Sequence, residues 1–285
     1  MSGSGRAGPP PSTPPSPEPL PIAVVDNHTH LDLSRDSEEA PDVQAVIEAA
    51  TAVGVPRMVQ IGCDLPSARF TVEVVNRYAA LLGGVALHPN EAPRLHDRAE
   101  TDSARREIEQ LAADPRVRVI GETGLDYFRT GTQGVAAQQD SFRWHIDLAK
   151  RTGKALQVHD RDAHEDVLRI LAEEVAPPRT VLHCFSGDMA MARECVERGY
   201  FLSFAGTVTF KNAAGLRDAL AVTPLANLQV ETDAPFLTPS PHRGAANAPY
   251  LVPLTVRAMA AVLSTDVPSL CTALAANSER LYGPW

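Results

Sequence analysis

Ile22-Ala23-Val24-Val25-Asp26-Asn27-His28-Thr29-His30 is a short apolar run that breaks off into polar side chains able to carry chemistry. Four apolar residues bounded by polar ones read as a buried strand. Side chains two apart on a strand share a face, so Asp26, His28 and His30 project together from its end. Two imidazoles on one face are half of a metal site. Alone, such a pair more often consists of hydrogen-bonded polar residues than of ligands. Its meaning depends on what the rest of the chain supplies.

Outward from this stretch the pattern alternates. Further apolar runs occur at 57–61, 84–87, 117–120, 155–158, 180–182, 200–204 and 228–230. Helix-like segments separate most of them. In residues 138–152, Phe142, Ile146 and Ala149 recur at helical spacing and Gly153 stops the run. Met189, Ala192 and Val196 repeat the pattern before Gly199. Pro115 and Pro177-Pro178 fall just ahead of strands. Eight strands alternating with helices predict an α/β chain folded as a (β/α)8 TIM barrel over residues 22–285. An open doubly wound sheet is the alternative, but no glycine-rich dinucleotide loop follows the first strand.

The chain has 285 residues, 44 % of them hydrophobic, enough for one large core. Residues 1–21 are mostly Pro, Ser and Gly and predict a disordered Pro-rich tail, since they bury too little surface to offset their ordering entropy. The net charge of -9 rules out a generally basic nucleic-acid coat, so any such contact must be local. It does not exclude a nuclease, because bound divalent cations reverse the charge of a site. Cys63, Cys184, Cys195 and Cys271 stand singly, without a CxxC pair, and read as isolated core thiols of a cytoplasmic protein. No apolar run is long enough to span a membrane, and no signal-peptide pattern is visible.

Barrel active sites form at the C-terminal ends of the strands. There the sequence places Asp26, His28 and His30 after strand one, His88 after strand three and Glu122 after strand four. His159 follows strand five, His183 strand six and Asp233 strand eight. Singly, His159 or His183 reads as a satisfied core or loop residue, and Glu122 as a helix cap. Together, buried imidazoles and carboxylates cost several kcal/mol each unless paired or bound to metal. Six N/O ligands with no thiolate suit two divalent ions, without choosing among Mg2+, Mn2+, Zn2+ or iron. Glu122 is the natural bridge. One ion would take His28, His30, Glu122 and Asp233, and the other Glu122, His159 and His183. Such a pair acidifies water, and Asp233 sits where it could act as general base.

The same residues carry a resemblance. Asp26-Asn27-His28-Thr29-His30-Leu31-Asp32, Gly84-Val85-Ala86-Leu87-His88-Pro89, Gly121-Glu122-Thr123-Gly124-Leu125-Asp126-Tyr127, His159-Asp160-Arg161-Asp162-Ala163, His183-Cys184-Phe185-Ser186-Gly187 and Glu231-Thr232-Asp233-Ala234-Pro235 resemble the signature blocks of the TatD family of metal-dependent deoxyribonucleases. The likeness spans residues 22–283, with the six blocks in family order. It implies an amidohydrolase-like barrel with a binuclear centre, metal ligands at His28, His30, Glu122, His159, His183 and Asp233, and 3′–5′ exonuclease action on single-stranded DNA. Glu122 stands where many amidohydrolase relatives carry a modified Lys, which favours the TatD branch. Ala155 departs from a Pro frequent in the family but touches no ligand.

A phosphodiester substrate needs further cations and donors at the mouth. Arg161, Lys211 and Arg243 are the cationic candidates, with His88 and Asp126 as second contacts. Tyr127, Phe128 and Phe210 could stack on a base or simply pack. The competing expectation is a hydrolase of an ester or amide on a nucleotide or tRNA, of D-aminoacyl-tRNA deacylase type, since the same metals polarise a carbonyl. A non-catalytic scaffold would not need the full ligand set.

Overall fold

Every apolar run named above overlaps a β-strand, and a helix follows each strand, in the computed structural model, which describes residues 13–35 and 40–285. The first half runs β1 (Val25–Thr29), α1 (Val43–Ala52), β2 (Arg57–Gly62), α2 (Leu65–Arg77), β3 (Leu81–Val85), α3 (Glu91–Asp97), α4 (Thr101–Ala112) and β4 (Val117–Asp126). The second runs α5 (Val135–Thr152), β5 (Ala155–Arg161), α6 (His164–Glu173), β6 (Thr180–Leu182), α7 (Met189–Glu197), β7 (Phe201–Phe204), α8 (Ala214–Val222), β8 (Leu228–Val230), α9 (Val252–Leu263) and α10 (Val267–Tyr282). The strands pair in parallel in chain order. The ring closes where His30 N donates to Ala234 O (2.9 Å) and Asp233 N to His28 O (3.0 Å). This is the expected (β/α)8 barrel.

Local chemistry explains the elements. In α5, Phe142, Ile146 and Ala149 are buried, and Gly153 ends the helix with a left-handed φ of 63°. Helix α2 starts at Asp64, whose carboxylate accepts from Ser67 N (2.8 Å) while Ser67 Oγ accepts from Asp64 N (2.9 Å). That reciprocal cap satisfies donors the first helical turn leaves free. Helix α7 buries Met191, Ala192 and Cys195, so its inner face is rotated from the expected Met189, Ala192 and Val196. Met189, next to the Asp188 cap, faces partly outward because the chain is only entering the helix there.

The strands differ from the apolar runs mainly by continuing into polar sequence. β1 begins at Val25 and runs through Asp26, Asn27 and His28, all fully buried. Their polar atoms find partners across the barrel, which makes the burial tolerable. Beneath them, Val25, Val59, Leu82, Val119, Ala155, Val181 and Phe201 form one apolar cluster, each from a different strand, closed below by Leu281 and Tyr282 of α10. The helices pack outside the ring through a larger second cluster.

One boundary needs correction. The part of the expected tail at residues 1–12 lies outside the described residues. The part at 13–21 packs on the barrel. Leu20 is buried, Leu20 N donates to Val53 O (3.0 Å), Tyr250 Oη donates to Pro14 O (2.7 Å) and Arg257 donates to Pro19 O (3.1 Å). Composition missed this because one Leu and the prolines' free carbonyls suffice to dock an extended segment. Among the described residues, no single helix is long and apolar enough to cross a membrane.

Candidate metal centre

The barrel brings the six candidate ligands together at one end. His28 lies within β1, Glu122 within β4 and His159 within β5, while His30 and His183 directly follow β1 and β6. Asp233 comes three residues after β8, in a left-handed backbone conformation (φ 54°) that Asp tolerates better than most residues. Glu122 is central. Its Oε2 lies 3.6 Å from His28 Nε2 and 4.0 Å from His30 Nε2. Its Oε1 lies 2.5 Å from His159 Nδ1 and 2.8 Å from His183 Nε2. Asp233 Oδ1 is 3.5 Å from His30 Nε2 and 3.8 Å from His28 Nε2. Each oxygen of Glu122 therefore faces a different pair of imidazoles, and Asp233 stands with the first pair. Gly124 keeps β4 against β5 here: at its φ of 137°, a Cβ would come 2.0 Å from His159 O.

Hydrogen bonds on the far side of three rings set their tautomers. Gln157 Nε2 donates to Asn27 O (2.8 Å), which only accepts, so Gln157 Oε1 must accept from His28 Nδ1–H (2.8 Å). His30 Nδ1–H donates to Ile61 O (3.0 Å), and His183 Nδ1–H lies 3.2 Å from Glu231 Oε1. The neutral Nε2 atoms of all three are then bare lone pairs aimed inward. Those of His28 and His30 face each other at 3.2 Å, and that of His183 faces a carboxylate oxygen. Lone pairs so placed repel unless protons or cations lie between them. The donor set therefore fits divalent cations, with a carboxylate or carbonyl behind each ligand as metal-bound histidines normally have.

The electrostatics match. Burial opposes ionisation of Glu122, yet His183, His88 and His159 hold its carboxyl well below the usual range. Asp233 is likewise held low against its burial, chiefly by His30 and His28. Burial pulls His30 down, but the hydrogen bond and charge of Asp233 override it and hold the imidazole up at about 9, so without a cation its Nε2 carries a proton toward Asp233 that a bound cation would displace. Both acids are thus anionic at neutral pH, a cluster ready for positive charge.

A cleft of about 570 Å3 opens over these groups. His88 belongs to the cluster, with Nε2 3.4 Å from Glu122 Oε1. Its Nδ1 accepts from Asn90 N (3.0 Å), so its Nε2 carries the proton and donates, unlike the three ligand-like rings. Asp126 sits behind His159, 3.4 Å from its Nε2, and accepts from Arg129 N (2.9 Å) and Asn90 Nδ2 (3.2 Å). Arg161 lines the cleft and lies 3.9 Å over the Phe128 ring, which is 62 % exposed. Arg243, 4.0 Å over Phe210, and the exposed Lys211 do not line this cleft. Tyr127 is held by packing chemistry instead, donating from its hydroxyl to Asp166 (2.7 Å).

Comparison with known proteins now adds to the geometry. Residues 25–283 match the family described as TatD related DNase. The chain is 46 % identical over 264 residues to "Uncharacterized metal-dependent hydrolase TatD" of Mycobacterium tuberculosis, covering 91 % of this chain and 98 % of that protein. The chain belongs to the TatD family of metal-dependent hydrolases. "Uncharacterized metal-dependent hydrolase YabD" of Bacillus subtilis is 36 % identical, again over 91 % of this chain and 98 % of its own. The TatD homologue YjjV of Escherichia coli superposes with a TM-score of 0.84 at 25 % identity, covering 92 % of this chain and 98 % of that one.

Several working residues of this TatD chain are not among the candidates that the strand ends pointed to. Gln157 and Glu231 orient His28 and His183, and Glu231 also accepts from Cys184 N (2.8 Å). Gln60 accepts from Leu31 N (2.6 Å) and donates to Asp32 (3.0 Å), fixing the chain just past His30. The buried His145 accepts from Leu87 N (3.1 Å) and so holds the segment entering His88. A lone Gln inside an apolar strand run, as at Gln60 and Gln157, was a readable signal. Cys63 and Cys184 correct the expectation of core thiols: both line the cleft, Cys63 Sγ 3.4 Å from Glu122 Oε2, because each follows a strand end. Cys195 and Cys271 are buried as expected.

Proposed function

We propose that this TatD protein hydrolyses phosphodiester bonds at single-stranded DNA ends, as a 3′–5′ exodeoxyribonuclease working with two divalent cations. The observation that carries the reading is Glu122, whose two oxygens face two separate imidazole pairs. His28, His30, Glu122 and Asp233 would hold one cation, and Glu122, His159 and His183 the other. When bound, Mg2+, Mn2+ or Zn2+ at these positions neutralises phosphoryl charge and makes water acidic enough to attack near neutral pH.

The chain's own groups do the rest. Asp233, ionised and lining the cleft, receives the proton of the attacking water. His88 offers an N–H toward the space beside Glu122, where it can donate to a phosphoryl oxygen. Arg161, seated over the Phe128 ring, presents its guanidinium to the substrate's phosphate. Arg243 and Lys211 lie farther out and would meet only a longer strand. Four free cysteines, two of them in the cleft, fit a reducing compartment such as the cytoplasm.

The test offers purified protein with each metal a single-stranded oligonucleotide labelled at either end, alongside charged tRNA and simple esters. Loss of the 3′ label before the 5′ label is expected. Oligonucleotides left intact with every metal, together with release of an amino acid from tRNA, would replace this reading with the acyl-hydrolase one.

A further inference from the structure

The catalytic cleft does not end at the metal-ligand cluster. A second cavity of about 410 Å3 adjoins it, and Asn90 and Arg129 line both. The second cavity is completed by Pro93, Arg94 and Thr130. The two residues at the passage are fixed by one carboxylate. Asp126 accepts from Asn90 Nδ2 (3.2 Å) and from the backbone N of Arg129 (2.9 Å), and the same Asp126 backs His159. The passage is therefore built on the cluster itself and keeps a set place relative to it.

Its charge is equally specific. Arg94 is paired with Glu91 at 2.6 Å, whereas the guanidinium of Arg129 has no carboxylate partner among the described residues. A chain of net charge -9 leaves this cation unneutralised at the wall between two cavities. The residue before it, Phe128, is 62 % exposed, with Arg161 on one face of its ring. Single-strand binding uses a guanidinium on a phosphate and an aromatic ring under a base, and Phe128 directly precedes Arg129 in the chain.

We propose that Arg129 and Asn90 form a second nucleotide subsite, in which Arg129 binds the phosphate next to the one being hydrolysed. This deepens the nuclease reading and rests on it. The substrate is then an oligonucleotide whose neighbouring nucleotide contributes affinity, rather than any small phosphodiester.

The experiment measures two things on wild type, R129A and R129K. The first is the anisotropy-detected Kd of a fluorescent, nuclease-resistant phosphorothioate decathymidylate. The second is kcat/KM for a thymidine decamer and for the 4-nitrophenyl ester of thymidine 5′-phosphate, which has no second phosphate. R129A should raise the Kd about tenfold, the scale of one charged hydrogen-bonded contact, and R129K should recover part of it. R129A should also lower kcat/KM for the decamer about tenfold more than for the ester. The salt dependence of binding should lose about 0.7 of a logarithmic unit per unit, the slope of one single-strand phosphate. A wild-type Kd in R129A overturns the subsite, and so does an equal loss on decamer and ester. Failure of wild type to cut either phosphodiester overturns the proposed function, and the Kd comparison still decides the subsite.

Discussion

Replacing Gln157 with Leu keeps the side chain's bulk and removes every polar atom that sets the His28 ring. Gln157 is fully buried and makes three hydrogen bonds: from His28 Nδ1 (2.8 Å), to Asn27 O (2.8 Å) and to Tyr282 Oη (3.0 Å). A bond lost without stranding a buried group costs about 1 kcal/mol net, and one that leaves a buried partner unsatisfied costs about 1–3 kcal/mol instead. Tyr282 Oη keeps its bond to Asn27 Oδ1, but His28 Nδ1 and Asn27 O are stranded. Q157L should therefore lose about 3–7 kcal/mol of stability, read by urea unfolding of the metal-free protein. It should also weaken Mn2+ or Zn2+ binding about 10–100-fold, because the Nε2 lone pair of His28 is no longer enforced. Calorimetry or competition with a chromophoric chelator measures this directly. Q157E separates the two effects. Its carboxylate still accepts from His28 but meets the Asn27 carbonyl without a donor, so stability should fall while metal affinity stays near wild type. Wild-type metal affinity in folded Q157L would refute the argument that Gln157 sets this ligand.

Glu122→Gln and Asp233→Asn keep shape and remove charge; each should leave a folded protein and cut phosphodiester turnover at least about 10²–10³-fold, checked on a labelled oligonucleotide. Burial holds the neutral His145 imidazole down at about 3, from an ordinary 6.5, so below pH 6.5 the unfolded chain binds a proton that the folded one refuses. Stability should then fall as pH drops from 6.5 toward 3, by about 2 kcal/mol near pH 5, and urea melts should show H145N lacking that part of the slope. A chain starting at residue 13 should melt higher than one starting at 22, since Leu20 burial is worth about 1.5–3 kcal/mol and the Pro14 and Pro19 carbonyls hold the segment. Equal melting temperatures would show that the segment contributes nothing.

Much of the fold was legible because strands and helices each have their own period. The run at 155–158 and the helical spacing of Phe142, Ile146 and Ala149 needed no partner to be read. The face of α7 was misjudged because the sequence shows spacing but not where the cap at Asp188 starts the helix. The six metal-ligand candidates were legible because they stand at strand ends in registers shared by every barrel. Arg243 and Lys211 met the same rule of position yet lie off the cleft, since loop course is not set by strand register.

The sequence alone determined the barrel, its alternation and the identity of the groups able to bind metal, because those follow from local periodicity and from which residue types end each strand. Only the tertiary structure decided how the groups divide the work. Ring tautomers depend on Gln157, Ile61 O and Glu231, 129, 31 and 48 residues away in the chain from the histidines they set. The two sides of Glu122, the docking of residues 13–21 and the passage at Asn90 and Arg129 are likewise contacts between distant segments. Hydrogen-bond direction and cavity shape arise only when such segments meet, so no local pattern can carry them.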